Sequence, residues 1–263
     1  MRTLHFVIVA ALVAASATAI TAQEQTIDGN ISQGQAAMDK AAAAQKYVFL
    51  FFWKDKTPQT EKAWSQVQPA LAKMADTAEL VSIQITDPAE KRIVDKYGVT
   101  RAPMPLVLAI APCGAITKAF TKTFDENQLR AAFVSSCTQL CLKALQERKL
   151  VLVCVVDQAS PQDRVTIPKG VEDFRADEKF GPSTEIVLVN AREPSEASFL
   201  RDFQVDPRAQ KPVIVFLAPP GSMIGTFSGT ATKQQLLAKL ASAQSDPCAG
   251  GKCGPGGCGP KKK

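Results

Sequence analysis

Hydrophobic and polar positions alternate along this chain in two matching series. The first opens with an unbroken apolar run from Tyr47 to Trp53, which predicts a central strand covered on both faces. From Gln59 to Ala75 the positions Trp64, Val67, Leu71 and Met74 form one apolar stripe of a helix. Glu79 to Ile85 predicts a second buried strand, Pro88 to Tyr97 a short helix, and Leu106 to Ile110 a third strand that Cys113-Gly114 turns into a hairpin. Glu126 to Val134 predicts a closing helix. The second series runs from about Cys141 to Ala243, with strands at Leu150–Val156, Glu185–Val189 and Val213–Leu217.

The two series are copies. Ala78-Glu79-Leu80-Val81-Ser82-Ile83 matches Thr184-Glu185-Ile186-Val187-Leu188-Val189, and Tyr97-Gly98-Val99 matches Phe203-Gln204-Val205 at the same offset of 106 residues. The stretch from Pro105 to Gly114 matches Pro212 to Gly221 at an offset of 107. Upstream, Ala42 to Trp53 mirrors Leu142 to Val155, with Lys46 and Lys149 ahead of the apolar strands. Strands alternating with helices, closed by a hairpin and a helix, predict an α/β fold of two domains, each a mixed sheet flanked by helices.

The amino terminus has a different character. Met1-Arg2 is followed by an apolar run from Leu4 to Ala15, broken only by His5, and by the small residues Ala17-Thr18-Ala19 and Ile20-Thr21-Ala22. This is the pattern of a secretory signal, cleaved after Ala22, so residues 1–22 are expected to be removed and the protein exported to the periplasm or the medium. The alternative is an uncleaved anchor, because Phe6 to Ala22 is at the low end of a membrane span. No later segment is apolar and long enough to cross a bilayer. Cleavage removes the only histidine, and with it any histidine base or metal ligand.

The net charge is +6, but five of the positive charges sit at Arg2, Lys252 and Lys261 to Lys263. A nearly neutral body argues against a nucleic-acid groove, which needs clustered lysine and arginine. No phosphate loop, serine–histidine arrangement or paired acid motif occurs. Asp87, Glu90 and Asp95 read as helix surface.

The order of elements, with Val48-Phe49-Leu50-Phe51-Phe52-Trp53, then Lys96-Tyr97-Gly98-Val99, a proline-led strand, a glycine hairpin and a terminal helix, resembles the thioredoxin superfamily. The resemblance covers residues 37–136 and, more weakly, 141–243, and implies two tandem thioredoxin-like domains. It also implies a cis-proline at the head of the third strand. Pro105 and Pro212 are assigned by the internal repeat, while counting from Tyr97-Gly98 favours Pro103. The family's Cys-x-x-Cys follows the first strand, where a helix terminus lowers the thiol pKa. Here Thr57-Pro58-Gln59-Thr60 stands in that place, and the first cysteine of the chain is Cys113. The second copy has Asp157-Gln158-Ala159-Ser160-Pro161-Gln162 there. Exchange needs a thiolate, so neither loop can perform the family reaction. Thr57 and Thr60 read instead as caps of the following helix.

Seven cysteines leave at least one thiol unpaired or paired between chains. Cys154 lies within an apolar strand and reads as buried and inert. The family topology brings the hairpin and the end of the terminal helix to one pole. It therefore makes a Cys113–Cys137 disulfide geometrically possible, with Cys141 as alternate partner, a three-thiolate metal site as the sharper reading and free thiols as the remaining one. The tail, residues 246–263, is rich in Gly, Cys and Lys and reads as flexible. Cys248, Cys253 and Cys258 recur there every five residues. They suit disulfide pairing or a soft ion such as Cu(I) or Zn(II), although the spacing is wider than in common zinc sites.

The expectation is therefore a binding or scaffold module for a polypeptide, with Trp53, Trp64, Met104 and Lys211 as surface candidates, although Trp64 reads more as core, with no cofactor and no enzymatic dithiol. The alternative is a thiol-redox or metal-handling protein that acts through its tail.

Overall fold

The computed structural model describes residues 32–121, 124–157, 166–206 and 212–245. The first series folds as α1 (Gln33–Ala43), β1 (Tyr47–Trp53), α2 (Pro58–Ala72), β2 (Ala78–Gln84), a 3-10 turn at Pro88–Glu90, α3 (Lys91–Tyr97), β3 (Leu106–Ile110), β4 (Ile116–Phe120) and α4 (Glu126–Arg130). The second folds as α5 (Ser136–Gln146), β5 (Leu150–Val156), α6 (Lys169–Arg175), β6 (Thr184–Asn190), a 3-10 turn at Pro194–Glu196, α7 (Ala197–Asp202), β7 (Val213–Ala218), β8 (Ser222–Ser228) and α8 (Lys233–Ser245). No helix among the described residues is long and apolar enough to cross a membrane.

Each series builds a four-stranded mixed sheet. The orders are β2-β1-β3-β4 and β6-β5-β7-β8. β1 runs parallel to β2 and antiparallel to β3, and β5 does the same with β6 and β7. A strand sends alternate side chains to opposite faces, so the continuous apolar run of β1 feeds two cores. Tyr47, Phe49 and Phe51 pack with Val67 and Leu71 of α2 and Leu129 of α4. Val48, Leu50 and Phe52 pack with Met38 and Ala41 of α1 and Ile93 and Val94 of α3. β5 repeats this: Val151, Val153 and Val155 face α5 and α7, while Leu152 and Cys154 face α6 and α8. Cys154 is fully buried in that second core.

Serines set where the opening helix of each half begins. Ser32 accepts from the Gln35 N–H, and Ser135 from the Thr138 N–H. The closing helix of the first half stops at Arg130 rather than at Val134. There the Tyr47 hydroxyl accepts from the Val134 N–H at 3.0 Å and donates to its carbonyl at 3.2 Å. Phe133 packs on Tyr47 with the rings tilted by 55° and their centroids 4.7 Å apart. These contacts pull the chain off the helical path and leave Ser135 placed to start α5. The repeated Tyr97-Gly98-Val99 and Phe203-Gln204-Val205 also gain a reason. Gly98 (φ 60) and Gln204 (φ 55) both turn left-handed behind a short helix.

Superposing the repeat on the serine caps places Gly34 of α1 opposite Cys137 of α5. A Cβ at Gly34 would lie 2.7 Å from the Cδ1 of both Ile83 and Ile93. The second half has Val189 and Phe199 at the matching positions, and the shorter valine leaves space for a side chain. Gly34→Cys is therefore expected to cost about 1–3 kcal/mol through overpacking, and adding Ile83→Val to recover part of it, since the contact with Ile93 remains. Urea denaturation of the single and double variants measures both.

The two halves meet along α5. The side-chain amide of Gln146 pairs with the edge of β4, accepting from the Ile116 N–H at 3.0 Å and donating to its carbonyl at 2.7 Å. Cys113, in the hairpin before β4, donates its S–H to the Gln139 carbonyl at 3.7 Å.

Candidate functional site

The loop where a dithiol would stand joins β1 to α2. Thr57 caps α2 by accepting from the Thr60 N–H at 3.2 Å, and Pro58 occupies the first turn, where a missing N–H costs nothing. Thr60 donates its hydroxyl to the Asp55 carbonyl at 2.9 Å. The two hydroxyl oxygens are 3.0 Å apart. Because the Thr60 proton is committed to Asp55, Thr57 donates across that gap. A closed hydroxyl pair thus sits at the helix terminus.

Beside it opens a cleft of about 310 Å³ between α2 and the end of β1. Phe51, Trp53 and Trp64 line it, with Thr60, Ser82, Lys56 and Glu61 completing the wall. β1 keeps Phe51 and Trp53 on the α2 side by alternation. Trp64, two turns into α2, meets Phe51 edge-on at 5.1 Å. The Trp53 indole N–H donates to the Ser82 hydroxyl at 2.9 Å. The Trp64 indole makes no hydrogen bond, and Lys56 and Glu61 no ion pair, among the described residues. The cleft therefore offers an aromatic floor, one open N–H donor, one cation and one carboxylate.

The Met104–Pro105 bond is cis. Leu106 pairs with Phe52, so this bond lies at the sheet end from which the Thr57–Thr60 loop springs. Met104 packs with the core on the α1 and α3 side, away from Trp53 and Trp64, so these candidates do not share one surface. The Lys211–Pro212 bond involves Lys211, outside the described residues. Pro219–Pro220, in the hairpin after β7, is also cis. In the second half, Asp157 pairs with Arg192, whose hydrogen bonds, helped by its charge, hold the Asp157 carboxyl below its ordinary value; residues 158–165 are not described.

Cys113 and Cys137, paired in the expectation drawn from the family, are separate thiols in the structure. They lie on opposite sides of α5. Cys113 meets the Gln139 carbonyl, whereas Cys137 donates to the Leu188 carbonyl at 3.3 Å. Residues 137 and 139 point ~200° apart around the helix. Cys137 lies past the end of α4, as expected, but inside the first turn of a new helix, α5, which Ser135 caps. Among the described residues no three cysteine, histidine or acidic side chains gather as a metal site. Cys248, Cys253 and Cys258 lie outside the described residues.

Two carboxylates escaped the reading of Asp87, Glu90 and Asp95 as helix surface. Glu90 is 4% exposed and Glu196 3% exposed. Glu90 accepts from the Gly34 N–H of α1, with both oxygens at 3.3 Å. Glu196 accepts from the Cys137 N–H at 3.2 Å and from the Ser135 hydroxyl at 2.5 Å. Each carboxylate thus reaches across the fold to the positive end of its half's first helix. The repeated Asp87-Pro88-Ala89-Glu90 and Glu193-Pro194-Ser195-Glu196 carried the signal.

That arrangement quiets the thiols. Burial pushes Cys137 up to about 12, and the nearby Glu196 carboxylate adds to the shift. Burial does the same for Cys141 and Cys154, each to about 12. A thiol at a helix N-terminus is ordinarily activated; here Glu196 occupies that end. At about pH 8, alkylation of these three thiols by iodoacetamide is expected to run at least ~100-fold slower in the folded chain than in urea. Peptide mapping after timed quenching reads this. The folded chain also keeps thiol protons that the unfolded chain releases. The associated stability is fully present below pH 9.0 and lost as pH rises toward about 12. The urea midpoint is therefore expected to fall between neutral pH and pH ~10.5.

Two mixed sheets of order 2-1-3-4 with helices on both faces, a proline at the head of the third strand and no cysteine in the β1–α2 loop define a thioredoxin-like fold without its dithiol. No family model matches the chain, and no curated protein does. Solved structures similar to it include thioredoxin O2 from Arabidopsis thaliana in its oxidized state, 14% identical over 38% of this chain and 85% of that one, TM-score 0.31. The germline-specific thioredoxin Deadhead from Drosophila melanogaster is 17% identical over 38% of this chain and 90% of its own, TM-score 0.31. StoA from Bacillus subtilis is 16% identical over 34% and 82%, TM-score 0.27. Each match spans about the length of one half.

Proposed function

We propose that this protein is an exported polypeptide-binding or scaffold module of the cell envelope, without disulfide exchange of the thioredoxin kind. The observation that carries the reading is the aromatic cleft beside the Thr57–Thr60 hydroxyl pair. Where the fold would hold a reactive dithiol, it holds a locked pair of hydroxyls and a cleft walled by the half-buried Trp53 and Trp64 over the buried Phe51. Half-buried aromatics with a polar rim suit a polypeptide side chain. Export rests on the signal-like start of the sequence, outside the described residues.

The cleft contains both tryptophans of the chain, so intrinsic fluorescence reports on this site alone. Titration with a tryptophan-free unfolded polypeptide, such as carboxymethylated ribonuclease A, is expected to shift and saturate the emission. Trp64→Ala is expected to weaken binding at least ~10-fold, as for an aromatic anchor. Unchanged emission across the titration counts against the reading.

The five-residue recurrence of Cys248, Cys253 and Cys258 favours a second role, soft-metal or redox chemistry in the tail. Native mass spectrometry of the full chain and of a chain ending at Ser245, each offered Cu(I) and Zn(II), separates it from the first. Bound metal that disappears with the tail supports it.

A further inference from the structure

Among the described residues, the contact that joins the two halves has an unfilled counterpart on each half. Inside the chain, β4 presents its edge at Ile116 and α5 covers it, with Gln146 paired to the Ile116 backbone. The second half repeats that edge in detail. β7 and β8 carry a register shift between Phe216 and Leu217 where β3 and β4 carry one between Ala109 and Ile110. Leu217 pairs with Met223 as Ile110 pairs with Ile116, so Met223 stands in the place of Ile116. No helix among the described residues follows α8 to cover this edge. Met223 is 55% exposed, the most exposed large hydrophobic side chain described. Edge strands ordinarily carry charges that block pairing. β4 has Lys118, but β8, Ser-Met-Ile-Gly-Thr-Phe-Ser, has none.

The complementary half of the contact lies on α1. The serine caps superpose α1 on α5, and the residues matching Gln139, Lys143 and Gln146 are Ala36, Lys40 and Ala43. All three are exposed. α1 packs on its own sheet through Gly34, Met38 and Ala41; on its outer face Lys40 pairs with Glu79 at 3.1 Å, while Ala36 and Ala43 stay exposed. We infer that the β8 edge at Met223 receives the outer face of α1 from a second copy of this chain, continuing between chains the contact that β4 and α5 make within one. The protruding methionine fits the flat surface left by Ala36 and Ala43. Ala43 cannot supply the amide clamp of Gln146, so the contact is weaker than the internal one. Such a surface is heterologous: each chain has one of each half, and association extends head to tail or closes as a ring.

Sedimentation velocity on the chain from Gln23 onward tests this, with Met223→Lys and Ala43→Arg as variants. Both sites are exposed, so circular dichroism is expected to be unchanged. The unaltered chain is expected to show a weight-average mass that rises with concentration up to ~1 mM, and each variant alone to remain a monomer. An equimolar mixture of the two variants is expected to form a dimer and nothing larger, because each supplies the half the other lacks. A dimer held through any other surface cannot give that result. The inference is overturned if the unaltered chain stays a monomer, if either variant alone still associates, or if the mixture does not pair. It is also overturned if association appears only once residues 246–263 are deleted, which would make the tail the occupant.

Discussion

Thr57→Cys with Thr60→Cys is expected to give this fold an insulin disulfide reductase activity at least ~100-fold above that of the unaltered chain. The geometry is already in place. Thr57 is the N-cap of α2, Pro58 follows it, and the two hydroxyl oxygens are 3.0 Å apart. A thiol at position 57 would meet the free N–H groups of the helix terminus, which favour its thiolate. The attacking sulfur would have its resolving partner one turn away. The cis Met104–Pro105 bond lies at the same end of the sheet. Insulin turbidity with dithiothreitol as reductant measures the gain, and the matching double serine variant is expected to stay at background. A folded double-cysteine variant that forms its disulfide yet does not turn over would show that more than two sulfurs separates this loop from a redox site. Removing residues 246–263 from both proteins keeps the tail thiols out of the comparison.

Glu196→Ala is expected to destabilise the fold by about 3 kcal/mol. The side chain is 3% exposed and accepts from the Cys137 N–H and the Ser135 hydroxyl. Truncation leaves the half-buried Cys137 N–H without its acceptor, leaves the Ser135 hydroxyl only the Thr138 hydroxyl at 2.9 Å, and removes a negative charge from the start of α5. Glu196→Gln keeps one acceptor oxygen and is expected to cost less, about 1–2 kcal/mol. Chemical denaturation gives both values. A second readout separates this from general loosening. Because Glu196 adds to the rise of the Cys137 thiol above its ordinary value, Glu196→Gln is expected to speed alkylation of Cys137 while leaving Cys154 unchanged. Equal acceleration at both thiols would mean global opening.

Much of the framework was legible as pattern. The run Tyr47–Trp53 reads as a strand and is one, to the residue, as is Leu150–Val156. A strand buried on both faces leaves no polar position to blur its ends. The closing helix was overextended because its apolar stripe continues through Phe133, and only the Tyr47 hydroxyl, 87 residues away in sequence, ends the helical path. Glu90 and Glu196 looked like surface acids because burial of a carboxylate depends on a distant donor, here the first turn of α1 or α5. Cys113 and Cys137 looked like neighbours because both belong near the end of the first half. The rotation of α5 between the halves sends them to opposite sides.

The sequence by itself determined the twofold series of strands and helices and the absence of sulfur from the β1–α2 loop, since both depend on residue type and local order. Only the tertiary structure decided which side chains gather: the cleft of Phe51, Trp53 and Trp64, the carboxylates clamped to helix ends, and the bare edge at Met223. These are meetings between residues far apart along the chain. Periodicity gives the face on which a side chain stands, but only packing gives what stands opposite it.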